Sequence, residues 1–426
     1  MVYTKVIVFV AIGAALSTVA AAPVVHVGEN GSSLLNQDVC TSPDCAATAA
    51  QIVKDMNANA DPCEDFSEFS CGGFYQNTVL SETIPSTEHL SDLVPKNLAI
   101  VRELADPSFG KAPQAAPGDT AGQSNLKKLH DMYASCMDVT TIQRVGRQPL
   151  VNQLQTVLSL LPESATVDKT GLSKVMAGLT KLQILPFYTI IPGPNVYDPN
   201  LNILTGVLGG LSLPATAYNQ SLPDLADLES KIALQFQTFL AAEDVYAHRT
   251  TPITVADVDQ EWLDAAKDVV AFETLLADAT IKNPGQSKGP KGFVYNPHSF
   301  GELSAMTPSI DWSTLLSELI PAEVEYTRPI NLQASAFLPA LETVLQSTTT
   351  KTLRNYFAWR IIDSQSKILE TPYNLASETT ERWKTCSQNV AAQLPDITGH
   401  YFVERVLPES SQTVFRSMIK NVISAY

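Results

Sequence analysis

The chain has 426 residues, 45% hydrophobic and 17% charged, a globular composition large enough for about two or three domain-sized units with a sizeable core. Its formal charge of -16 argues against nucleic acid and against an anionic membrane surface as partners, because either would be repelled. The opening "MVYTKVIVFVAIGAALSTVAAAP" has one early lysine, an apolar run from Val6 to about Leu16, and small residues before Pro23. That plan predicts a secretory signal over residues 1–21, cleaved after Ala20 or Ala21. The apolar run is shorter than the roughly 20 residues of a membrane span and no basic cluster follows it, so cleavage is favoured over an uncleaved anchor. A secreted, extracellular product without a membrane span is expected. Residues 22–37 read as a flexible lead-in, and Asn30 in "NGS" and Asn219 in "NQS" are predicted glycosylation sites.

In that compartment six cysteines, at 40, 45, 63, 71, 136 and 386, read as a disulfide framework. "CTSPDC" suggests a tight loop from Cys40 to Cys45, followed by a helix to about Met56. "DPCEDFSEFSCGG" reads as a short helix over 62–71: Asp61 serves as N-cap, Pro62 as first helical residue, Glu64 closes a capping box, and Gly72-Gly73 stops it. Eight residues of helix separate Cys63 and Cys71 by roughly 12 Å, beyond the roughly 7 Å limit on Cα separation in a disulfide. These two are not expected to pair with each other, and spacing does not choose among the remaining connectivities.

Helical spacing continues over about 91–104, 125–137 and 170–184, with a Pro/Gly/Ala-rich surface loop over 105–124. Residues 185–213 carry β-branched and aromatic residues around Pro-Gly-Pro and predict a small hairpin. Leu225, Leu228, Ile232, Phe236 and Phe239 form one apolar helical stripe, and "WLDAAKDVVAFETLLADA" forms another. After a loop over 282–292 come "LRNYFAWRIIDSQSKIL" and the final "SQTVFRSMIKNVISAY", an apolar stripe that reaches the last residue without a cap or polar tail. The fold class is mainly α with a small β-hairpin element.

Motif chemistry is sparse. A helical zinc peptidase needs two histidines at i and i+4 with a glutamate beside the first. None of His26, His89, His130, His248, His298 and His400 meets that rule, and the inverted form fails because Pro85 stands where a ligand would precede Glu88-His89. No metal ligand and no catalytic residue is therefore expected in this chain. "GLSLP" places Ser212 as in a nucleophile elbow, but Pro214 occupies the position of the final glycine. "DVDQEW" at 257–262 begins like a calcium loop, yet Trp262 stands where glycine is required, and a helix is the better reading.

Taken as a set and in order, "CTSPDC", "DPCEDFSEFSCGGF", "LHDMYASCMD", "GGLSLPATAY" and the segment from "ERWKTC" to the end resemble the M13 metallopeptidases, the family of neprilysin and endothelin-converting enzyme. The resemblance covers about 38–426 and implies the family's large multi-helix lid, which restricts access of peptides to a zinc domain. It implies that the catalytic zinc domain follows later and is absent here, so that no cofactor is held by this chain although the complete family enzyme holds zinc. It implies the pairs Cys40–Cys45 and Cys136–Cys386, and places the partners of Cys63 and Cys71 in the missing catalytic half. Closure between Cys136 and Cys386 would stabilise by about 5 kcal/mol at most on the chain-entropy model. One departure concerns substrate: no arginine follows Glu82-Thr83 in "IPSTEHLSD", where family members often place one to hold a peptide carboxylate. The expected function is the substrate-gating part of a secreted zinc metalloendopeptidase acting on peptides, incomplete and inactive alone. The competing reading is a non-catalytic module that binds peptides or a protein partner.

Overall fold

A computed structural model describes residues 43–78, 93–164, 166–195, 197–219, 223–246, 253–283, 295–322, 324, 326, 328–369, 373, 382–407 and 409–425. The predicted signal, the lead-in, Asn30, Cys40, Glu82-Thr83 and most of the 282–292 loop lie outside these residues. The chain divides into two units, residues 1–93 and 94–426.

The first unit holds α1 (Pro43–Asp55) and α2 (Phe66–Asn77). Here the helix predicted over 62–71 is corrected at both ends. Residues 62–64 form a turn, in which the Asp61 carboxylate accepts from the Cys63 N–H at 2.8 Å. The helix begins one turn later, where Asp65 is the N-cap and accepts from the Glu68 N–H at 2.8 Å. Gly72 and Gly73 do not stop α2; both are buried inside it. A Cβ on Gly73 would collide with the Lys54 carbonyl oxygen, and one on Gly72 would sit 2.8 Å from Asn57 Cβ. The glycines let α2 approach the end of α1, and that contact outweighs their weak helix propensity of about 1 kcal/mol each. Cys63 thus lies ahead of the helix rather than within it, which removes the axial-spacing argument against a Cys63–Cys71 pair.

The second unit contains α3 (Leu93–Ala105), α4 (Thr120–Met137), α5 (Val139–Val145), α6 (Gln148–Leu158) and α7 (Lys169–Lys181). After them come β1 (Tyr188–Asn195), β2 (Asp198–Leu208), α8 (Pro223–Phe239), α9 (Gln260–Lys282), β3 (Pro297–His298), α10 (Phe300–Met306) and α11 (Trp312–Leu319). The chain continues through β4 (Ile330–Leu332), α12 (Phe337–Ser347), α13 (Thr350–Gln365), α14 (Arg382–Gln393), α15 (Pro395–Val406) and α16 (Glu409–Ala425). Side-chain N-caps fix many of the starts: Asp119, Asp138, Asp168, Ser299, Asp311 and Thr349 each accept a backbone N–H from the first turn of the helix that follows. The cap at Asp119 starts α4 inside the segment predicted as loop. Helix ends are closed by arginines: the buried Arg147 donates to the Thr238 carbonyl at 2.6 Å in the last turn of α8, and the half-buried Arg354 donates to the Leu158 carbonyl at 2.6 Å at the end of α6.

The main core forms around α13, whose buried apolar residues are spread around the helix with Arg354, Asn355, Arg360 and Asp363 interspersed among them. Its Leu353, Tyr356, Phe357, Ala358, Trp359, Ile361 and Ile362 are all buried, the pattern of a helix enclosed by others. Phe187, Phe272, Tyr356 and Phe357 form an aromatic cluster with ring centroids 4.8 to 6.2 Å apart. The stripe predicted in α8 is this core's lining: Leu228, Ile232, Phe236 and Phe239 are buried and Leu225 is partly so. A second, smaller core joins α3, α4, α14 and α15 through Leu104, Leu126, Leu129, Tyr133, Val390 and Tyr401.

The predicted hairpin is present as β1 and β2, antiparallel from Tyr188↔Leu208 to Pro194↔Asn202. It belongs to a larger mixed sheet of order β1-β2-β4-β3, with β2 parallel to β4 and β3 antiparallel to β4. β3 and β4 have two and three residues, too few for a period to register in sequence. Within this sheet, as described, β1 is an edge, and it is guarded. The Leu204 N–H donates to the Tyr326 hydroxyl at 2.9 Å rather than to the opposed Pro192. Pro192↔Leu204 is therefore a non-hydrogen-bonded pair, and Pro192 and Pro194 remove two of the donors that would have faced outward.

Candidate functional site

The sequence-predicted residues fall in separate places. Cys136 of α4 and Cys386 of α14 form a disulfide with Cα atoms 5.7 Å apart, and Cys386 is fully buried in the smaller core. Arg382 pins the same joint, donating through Nε to the Cys136 carbonyl at 2.7 Å and through Nη2 to the Ile368 carbonyl at 2.8 Å. Cys45 is disulfide-bonded, and its predicted partner Cys40 is outside the described residues. Cys63 is exposed, and Cys71 is half-buried with its sulfur 3.5 Å from Ser70 Oγ. Asn219 is exposed at the end of a short 3-10 turn, a position open to a glycan. Of the histidines described, His298 Nδ1 in β3 lies 3.7 Å from Glu302 at the start of α10, and His400 Nε2 lies 3.5 Å from Glu404 one turn along α15. No group of three His, Cys, Asp or Glu that could hold a metal occurs among the described residues.

Ser212 is built into the main core. Its hydroxyl donates to Glu273 Oε1 at 2.9 Å and accepts from the Trp359 indole N–H at 2.7 Å. Its backbone N–H is shared between Glu273 Oε2 and the Tyr218 hydroxyl, both at 3.2 Å, and the Tyr218 hydroxyl also donates to Glu273. Glu273 is 0% exposed. Burial raises its pKa above the ordinary value, against the lowering effect of the Tyr218 and Ser212 hydrogen bonds and the Arg360 charge. Its hydroxyl donates to one partner and accepts from another, with no histidine among these described contacts, and Ser212 thereby fastens the 209–214 loop to α9 and α13. Gly210 shapes that loop with a φ of 81°, and its carbonyl accepts from the buried Tyr356 hydroxyl at 2.8 Å. Sequence reading passed over Glu273, yet a signal was there: it falls in the apolar stripe of α9, four residues from both Val269 and Ala277.

Above this network a groove of about 740 Å³ opens. Its apolar floor comes from Ile184, Leu185, Leu208, Leu211 and Leu213, and its polar wall from Arg360, Asp363 and Lys367 at the end of α13. Asp363 is engaged by Lys231 at 2.8 Å and by Lys367 at 3.5 Å. Burial acts to raise its pKa, but the Lys231 hydrogen bond and the charges of Lys231, Lys367 and Arg360 win, holding it below the usual carboxylate value. The groove, the buried Glu273 network and the disulfide joint all belong to the second unit.

Residues 62–426 match the N-terminal model of peptidase family M13. The chain belongs to peptidase family M13. It is 23% identical over 402 residues to endothelin-converting enzyme 1 of Bos taurus, covering 91% of this chain and 50% of that protein. It is 22% identical over 409 residues to an endothelin-converting enzyme homolog of Locusta migratoria, covering 91% and 53% respectively. The chain thus spans about half the length of the curated relatives it matches. Among solved structures, the Mycobacterium tuberculosis zinc metalloprotease Zmp1 in complex with an inhibitor superposes with a TM-score of 0.63 at 19% identity, over 87% of this chain and 54% of that one. That likeness concerns the fold. The family is one of zinc metallopeptidases; no histidine pair at i and i+4 occurs in this sequence, and no group of donors that could hold a metal occurs among the described residues.

Proposed function

We propose that this chain is the substrate-gating N-terminal part of a secreted zinc metalloendopeptidase, inactive by itself and completed by a catalytic half that supplies the metal and the general base. The observation that carries the reading is the M13 match over 62–426 on a chain that spans about half of its relatives. In that arrangement the helical body admits extended peptides and excludes folded proteins, while zinc and its water act in the other half. The resemblance makes Cys63 and Cys71 the covalent link to that half, and secretion, glycosylation at Asn30 and Asn219, and a Cys40–Cys45 loop belong to the same reading. The apolar face of α16 supports it: Val414, Phe415, Met418, Ile419, Val422 and Ile423 are exposed, a patch suited to another apolar surface.

The test has two arms. Isothermal titration of the purified chain with zinc is expected to show no stoichiometric tight site; one ion bound tightly per chain would contradict the assignment. The same chain joined to the catalytic half of an M13 relative is expected to cleave a fluorogenic peptide, with loss of activity on chelation. A joined protein that binds zinc in its catalytic half yet cleaves no peptide would sink the gating role.

A further inference from the structure

A second cleft, of about 490 Å³, adjoins the groove beside the 209–215 loop and shares Gln183 and Ser364 with it. It lies at the seam between the main core and the smaller one. Gln153 of α6, Gln183 just after α7, and Ser364 and Gln365 of α13 line it from the main core; Asn389 and Gln393 of α14 line it from the other side. Five amides and a hydroxyl converge there, and the hydrogen bond described among them runs from Gln393 Nε2 to Gln183 Oε1 at 3.2 Å. The side chains of Gln153, Ser364, Gln365 and Asn389 have no hydrogen-bond partner among the described residues. Lys181, the charged residue of the lining, is paired with Glu318 at 2.8 Å. The cleft is therefore neutral in a chain of net charge -16.

Gln183 also stands where a glutamine is costly. Among the described residues it is the one non-glycine with a left-handed backbone, at φ 60°. Its N–H donates to the Thr180 carbonyl at 3.0 Å, and the Ile184 N–H donates to the Leu179 carbonyl at 2.9 Å, the paired bonds of a helix end that favours glycine at this position. A side chain there crowds its own backbone, a strain glycine would avoid. Packing does not repay it, since Gln183 is exposed. What the residue adds is an amide at the junction of cleft and groove.

An amide offers donors and acceptors together, as a peptide main chain does, whereas a carboxylate only accepts and an ammonium only donates. The leucine-rich floor of the adjoining groove suits the side chains that an extended peptide turns to one face. No aromatic ring lines either part, so a sugar would find no platform for its C–H face. We propose that cleft and groove together form a peptide main-chain site: the amides of Gln183, Gln365 and Asn389 hydrogen-bond the backbone of an extended peptide while the apolar floor takes its side chains. The proposal rests on the reading of this chain as a peptide-handling part of an M13 enzyme and adds which part of the peptide is recognised, with no charged group required.

The test uses the full chain and fluorescence anisotropy with a neutral label. Two peptides are compared: an end-capped decapeptide of leucine, serine and glycine, and the same peptide with alternate backbone amides N-methylated. The unmethylated form is expected to bind at least about tenfold more tightly, because methylation removes donors and leaves the side chains unchanged. Gln183→Gly removes the amide and relieves the left-handed backbone, so it is expected to keep or raise the thermal midpoint while weakening the unmethylated peptide at least about fivefold. A merely structural glutamine would not give that split. Gln365→Met, similar in length, is expected to erase most of the difference between the two peptides, and Arg328→Gln, in a separate groove on the hairpin, to leave it unchanged. Equal binding of both peptides by the parent chain overturns the site, as does full discrimination retained in folded Gln183→Gly and Gln365→Met. Displacement by maltoheptaose without discrimination between the peptides overturns it in favour of a saccharide site. If the chain joined to a catalytic half cleaves peptides while the parent chain shows no discrimination, the cleft fails and the gating role stands; loss of all cleavage removes the gating role and leaves the binding result to stand alone.

Discussion

Helices α13 and α16 are nearly equal in length, 16 and 17 residues, and both carry Phe, Ile and other large apolar side chains. In α13 Phe357 is 0% exposed, enclosed by α9, α6 and α8; in α16 Phe415 is 55% exposed. The buried apolar residues of α13 are spread around the helix, so covering them takes several neighbours, while Arg360 and Asp363 between them stay at the groove. The apolar residues of α16 form one face, which a single partner surface would satisfy. The contrast teaches that composition sets how much apolar area a helix must hide, while its distribution sets how many neighbours are needed to hide it.

Four variants test that contrast, from the largest expected effect to the smallest. Phe357→Ala empties a site in the aromatic cluster and is expected to cost about 3–5 kcal/mol in denaturant unfolding; a cost below about 1 kcal/mol would mean that α13 is not the enclosed centre. Glu273→Gln removes the carboxylate that fastens the 209–214 loop and is expected to cost about 1–3 kcal/mol at acid pH. The sign with pH follows from its raised pKa. The folded state holds this proton more tightly than the unfolded state, so the group's contribution is complete below the ordinary 4.5 and is lost as pH rises through the folded value. The gap between parent and variant should therefore narrow as pH rises from 4 to 8, and a gap that widens would reverse the assignment. Trp359→Phe keeps the ring but removes the donor to Ser212 and is expected to cost about 1 kcal/mol, read from thermal unfolding. Phe415→Ser with Ile419→Ser on α16 should change stability by no more than about 0.5 kcal/mol while lowering binding of a hydrophobic dye; a cost like that of Phe357→Ala would show that this face is covered in solution.

The same distinction decides what could be read in the sequence. The stripes of α8 and α9, the run of α13 and the hairpin around Pro-Gly-Pro were legible because their periods lie in consecutive residues. The end of α2 was not: Gly72-Gly73 reads as a stop unless the Lys54 carbonyl and Asn57 are known to lie against it. β3 and β4 were too short to show alternation. The family resemblance was legible from five ordered segments, and the matched M13 model bears it out over 62–426. The groove was not, since Arg360 and the Gly209–Ala215 loop are about 150 positions apart and only tertiary packing brings them together. Ser212 was singled out as a near match to a nucleophile elbow, and packing ties its hydroxyl between the Glu273 carboxyl and the Trp359 indole N–H.

The Cys136–Cys386 bridge closes 250 positions into one covalent ring. A single cut anywhere inside that ring yields two chains that remain joined, because each fragment keeps one of the two sulfurs. Such a nicked molecule would run as one species without reductant and as two with it. A broken backbone within the ring is thereby uncoupled from loss of the molecule's parts.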